Sequence, residues 1–152
     1  MRSEAARAWC LASALLLSAL PVHADVALVS GGVSRAVLVT ADHPTRVVRY
    51  AAEEMVHHVG KATGVILEVR TESEAKTGAL PHIYLGDSRA VHEAGIDVEK
   101  LAAEAFVLRV KNDFVFIAGN DGGGDPLDPD TRAGTLWGVY EWLDRDLGVR
   151  WL

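Results

Sequence analysis

The sequence predicts an α+β fold, a small mixed β-sheet packed with two main helices. Three observations carry that expectation. Short β-rich apolar runs recur along the chain, and two longer segments have helical period. Strands and helices do not alternate regularly enough for a repeated βαβ fold. No internal repeat and no long linker divides residues 25–152, so that stretch is expected to form one domain.

Taken in order, "DVALVS" and "RAVLVT" are β-rich runs on either side of Gly31-Gly32, and a hairpin is the simplest reading. "DHPTRVVRYAAEEMVHHVGKATG" then has helical period. Val48, Ala51, Ala52, Met55 and Val59 share one face, with Arg46, Arg49, Glu53 and His57 on the other. Pro44 suits its start, and Gly60 or Gly64 its stop. "GVILEVR" and "HIYLG" read as strands, and "SRAVHEAG" as a short helix ending at Gly95. "EAFVLRVKNDFVFIAG" is two alternating runs joined at Asn112-Asp113, a hairpin signature. An acidic Gly/Pro-rich loop leads into the last helix, "GTLWGVYEWLDRDLG". Leu136, Val139, Tyr140, Leu143 and Leu147 form its apolar stripe, and Trp137 and Trp142 flank that stripe on opposite sides. The final "GVRWL" reads as a strand entering something larger, because free termini are usually polar and frayed.

Residues 1–24 differ from the rest. Arg2 and Arg7 precede the apolar run Leu11–Leu20, and "PVHAD" offers cleavage after Ala24, the pattern of a secretory signal. The expected localisation is secreted or periplasmic. The run is shorter than the ~20 apolar residues of a membrane span. Cys10, the one cysteine, falls in the leader, so no disulfide framework is expected in the mature chain. The net charge of −6, more negative once the leader is removed, and the lack of a basic cluster argue against nucleic acid as a partner.

Four stretches invite chemistry. "YLGDS" places Ser88 in the strand–Gly-Asp-Ser–helix turn that GDSL esterases use for a nucleophile. A serine nucleophile needs an imidazole base, and no histidine follows His92, which lies on the same short helix. Asp87 or Ser88 as a helix N-cap is the better reading. His57 and His58 are adjacent, so they point about 100° apart and cannot chelate together, and Glu54 with His58 supplies only two ligands. Asp121, Asp125, Asp128 and Asp130 miss the EF-hand pattern, with Pro126 at the glycine position and Arg132 at the glutamate position. The glycines after "VFIAG" lack G-x-G-x-x-G. No catalytic residue, metal or cofactor is expected.

"AAEEMVHHVGKATGV", "IYLGDSRAVHEAGID", "EAFVLRVKNDFVFIAGND" and "GTLWGVYEWLDRDLGVRWL" together resemble the N-terminal accessory domain of bacterial alpha-glucuronidases. The same type of domain precedes the barrel of bacterial beta-hexosaminidases. The resemblance implies a non-catalytic domain of a secreted glycoside hydrolase, packed beside a (β/α)₈ catalytic barrel that follows the Arg-Trp segment and is missing here. Trp137, Trp142 and Trp151 are the expected interface residues, since domain interfaces favour aromatics. The alternative is a free-standing carbohydrate-binding module with a glycan as partner.

Overall fold

The computed structural model describes residues 26–75 and 80–151. The expected leader and its cleavage point lie outside the described residues. The chain enters through a two-residue hairpin, β1 (Val29–Ser30) and β2 (Val33–Ser34), which turns on Gly31 and Gly32, both at positive φ. The hairpin expected between "DVALVS" and "RAVLVT" is therefore corrected in extent. Only Val33–Ser34 returns along the first run, and β3 (Val37–Thr40) leaves it to join the main sheet. The reason is burial: all four residues of β3 are buried, as a strand covered on both faces requires.

The main sheet has five strands. Strands β4 (Glu68–Thr71), β3, β5 (His82–Leu85) and β7 (Phe114–Gly119) run parallel, and β6 (Phe106–Lys111) pairs antiparallel with β7. Their spatial order is β4-β3-β5-β7-β6. The β6–β7 turn sits at Asn112-Asp113 as expected, with both residues at positive φ. The result is the mixed sheet of an α+β domain.

Two helices cover one face. Helix α1 (Arg46–Thr63) begins at Thr45, whose hydroxyl accepts from the Val48 amide at 3.2 Å, and ends on Gly64 at φ +74. Of the two glycines suited to the stop, Gly64 is the one used, and Gly60 stays inside the helix. Helix α3 (Gly134–Leu147) lies beside α1, and its stripe of Leu136, Val139 and Leu143 is buried as expected. Leu38, Ile83, Leu85, Ile117 and Leu143 are at most 1% exposed. Each such side chain contributes about 1.5–3 kcal/mol of transfer free energy. The opposite face carries the short helix α2 (Arg89–Glu93) and a 3₁₀ turn, Val98–Lys100, which the sequence reading did not anticipate. There Tyr84 stacks on Phe116 with centroids 5.3 Å apart, beside Val91, Ile96 and Val98.

Helix α3 approaches the sheet closely enough to require glycine. A Cβ on Gly138 would stand 2.7 Å from Cγ2 of Ile117, and one on Gly134 would run into the Ala105 carbonyl oxygen. The Gly134 contact is with backbone, so no rotamer change can relieve it. Gly134→Ala is expected to lower unfolding stability by about 2 kcal/mol or more. Gly123→Ala, where nothing lies within 4 Å, should stay within about 0.5 kcal/mol of the parent. Urea denaturation of the two variants checks the contrast.

Candidate functional site

Strand β5 delivers the Gly-Asp-Ser turn to the end of the sheet. Gly86 has φ +73, and a Cβ there would collide with the Val48 side chain of α1. Its amide donates to the Ile117 carbonyl at 2.9 Å. Ser88 is 5% exposed, and its hydroxyl accepts from the Val91 amide at 3.4 Å as the N-cap of α2. The Glu72 carboxylate accepts from the next two amides, Arg89 at 3.2 Å and Ala90 at 2.9 Å. The His92 imidazole pairs with Asp87 Oδ1 at 2.6 Å, away from Ser88. Ser88 is thus a buried cap with no imidazole paired to it among the described residues, and the motif arises from close packing plus helix initiation.

Of the remaining candidates, Glu54, His58, Asp125 and Asp128 are occupied in structural roles. His58 sits 3.7 Å from Glu54 across one helical turn, and Tyr140 donates to the same Glu54 carboxylate at 3.0 Å. Among the described residues no group of three His, Cys, Asp or Glu side chains is placed to hold a metal ion. Asp125 holds Arg46 at 2.9 Å and accepts from the Leu127 amide at 3.0 Å. Asp128 accepts from the Asp130 amide at 2.9 Å.

Asp121 does more than the loop reading assigned to it. The N-cap position of α3 is Ala133, which has no capping side chain, so the helix is capped from a distance. Asp121 Oδ1 accepts from the Thr135 amide at 2.8 Å, and Oδ2 accepts from the Thr135 hydroxyl at 2.5 Å. That hydroxyl in turn accepts from the Gly119 amide at 2.9 Å. Burial pushes the Asp121 carboxyl above its ordinary value, the Thr135 bonds oppose the rise, and the negative charges of Glu104 and Asp87 add to it.

The tryptophans separate into two environments. Trp137 and Trp151 are each 48% exposed, whereas Trp142 is half-buried against the main core, roughly 140° around α3 from Trp137. Tyr140 joins the exposed pair, with ring centroids 5.9 Å from Trp137 and 4.5 Å from Trp151. Trp151 also meets His58 of α1 edge-on at 4.9 Å. The Trp137 indole donates to Glu104, which fixes its ring. Burial first, then the hydrogen bond and charge of Glu54, raise the Tyr140 phenol far above its ordinary value, so it stays a donor. An aromatic seam therefore runs over the α1–α3 junction. Tyr140 and His58 were not singled out for it by sequence, because each also fits an ordinary helix face.

No family model and no curated protein matches the chain. Among solved structures it is similar to part of a family GH115 4-O-methyl-alpha-glucuronidase, BtGH115A, with specificity for decorated arabinogalactans. The identity is 22% and the TM-score 0.50, over 76% of this chain. The chain spans 14% of the length of that enzyme. At this identity the likeness establishes the fold.

Ser88→Ala is expected to cost about 1 kcal/mol in stability, the usual worth of an N-cap. Any ester hydrolysis by the preparation should be unchanged, and denaturation with an ester assay reads both. The second expectation concerns pH. The folded chain holds the Asp121 proton more tightly than the unfolded chain, whose carboxyl titrates near about 4. Its contribution is therefore full below that pH and is lost as pH rises through the higher folded value. Asp121→Asn should remove this fall, seen as a flatter denaturation midpoint as pH rises above the unfolded carboxyl's value.

Proposed function

We propose that this chain is the non-catalytic accessory domain of a glycoside hydrolase, of the alpha-glucuronidase or hexosaminidase-like kind, acting in polysaccharide degradation. It is exported by its leader with cleavage after Ala24, and it packs beside a separate (β/α)₈ catalytic domain. The observation that carries this reading is the likeness of its fold to a segment of a much longer glucuronidase. The chemistry of the chain agrees with it. Ser88 is consumed as a cap, Asp121 as a second cap, and Glu54 by Tyr140 and His58. In this reading the domain covers the barrel's flank, and the seam of Trp137, Tyr140 and Trp151 is the surface it offers, with Trp142 packed into the core on another side of α3. Exposed aromatics held by partners on both helices suit a domain interface.

The same exposed rings favour a second reading, a carbohydrate-binding module in which Trp137 stacks on a sugar. The two differ in what the isolated chain does. Calorimetry against xylan, arabinogalactan and chitin fragments is expected to show no binding to the purified chain. Binding that disappears in Trp137→Ala would transfer the assignment to the module. In the native source, an antibody against residues 26–151 should detect a band several times the 16.3 kDa of this chain that co-purifies with glycosidase activity. A band at the chain's own mass without such activity overturns the accessory-domain reading.

A further inference from the structure

The far edge of the sheet, opposite β6, presents a second surface that the function above does not use. Strand β4 is an edge strand, and among the described residues no strand pairs with its outer side. Beside it runs a groove of about 760 Å³ between β4 and α1, floored by Ala52, Val56, Gly60 and Val69. Val69 is 46% exposed and Ile66 71% exposed. An unpaired edge next to contiguous apolar surface is a template for strand addition.

The charges on the edge select the strand that would be added. Leu38, whose side chain belongs to the core beneath α1 and α3, is the register partner of Val69, so Val69 faces the groove. Glu68 and Arg70 then lie on the opposite face, where they form a two-bonded ion pair at 2.7 Å. Consider two copies joined antiparallel through β4 about a two-fold axis normal to the sheet. Residues directly opposite must share a face, so the axis has to pass beside a residue and not between two. Centred on Glu68 or on Arg70, like charges oppose each other. Centred on Val69, Val69 meets Val69, and each Glu68 faces Arg70 of the second copy.

We propose that this chain self-associates through β4 in that register, giving a continuous ten-stranded sheet with two Glu68–Arg70 cross-strand pairs around a Val69–Val69 contact. The occupant is a second copy because the edge complements itself: each of its charges finds the opposite charge in one symmetric register. The surface around Ile66 and Val69 would then be shared between copies. The aromatic seam lies on the α1–α3 junction and is not needed for this contact, so the proposal stands apart from the function argued above.

Sedimentation velocity on the purified chain at micromolar concentration tests it. The parent should sediment at twice the chain mass. Arg70→Glu and Glu68→Arg, each placing like charges across the two-fold, should weaken the dimer by roughly tenfold or more. Mixing the two variants in equal amounts should restore a dimer containing one of each, because the two arginines of one strand then face the two glutamates of the other. Should either variant lose its native circular dichroism, Val69→Lys takes its place and is expected to be monomeric. A monomeric parent overturns the proposal and leaves the edge to a different partner. So do dimeric single variants, a mixture that stays monomeric, or a dimeric Val69→Lys.

Discussion

The fold depends on the contact between the start of α3 and the end of β7. Gly119 and Gly134 let helix and strand approach until backbone touches backbone, and Gly138 leaves room for the Ile117 and Phe106 side chains. The polar groups trapped by that approach are satisfied by one residue pair. The Thr135 hydroxyl accepts from the Gly119 amide and donates to Asp121, while Asp121 also takes the Thr135 amide. A buried amide without a partner costs about 1–3 kcal/mol, so the close contact and the hydrogen-bond knot are only tolerable together. With α3 fixed there, α1 packs alongside it, and Tyr140 can reach Glu54 across the junction.

The same economy governs the polar side chains elsewhere. Side chains that could suggest catalysis or metal binding are used to start helices and close turns: Glu72 and Ser88 at α2, Asp121 at α3, Asp125 and Asp128 within the acidic loop. A chain without disulfides relies on such local bonds to define its loops. The aromatic rings of Trp137, Tyr140 and Trp151, by contrast, lie together over the α1–α3 junction.

Much of this was legible in the chain. The apolar stripe of α3, the cap at Ser88 and the turn at Asn112-Asp113 follow from periodicity and local conformational preference, and the structure contains all three. The destination of "RAVLVT" was not legible. A run apolar on both faces fits a hairpin partner or a central strand equally well, and only its neighbours β4 and β5 decide. Asp121 was read as a loop residue because its partner, Thr135, is distant in sequence. No spacing rule connects a strand end to a helix start across an acidic loop.

By itself, then, the sequence determined the local elements and the α+β class, because helix period, turn residues and caps act within a few positions of one another. The tertiary structure decided how those elements meet. It set the strand order β4-β3-β5-β7-β6, the distant cap on α3, and the separation of Trp142 from the exposed Trp137 and Trp151. Each of these depends on backbone surfaces that come together only when the chain is folded, and close approach, unlike periodicity, leaves no mark in sequence beyond an unexplained glycine.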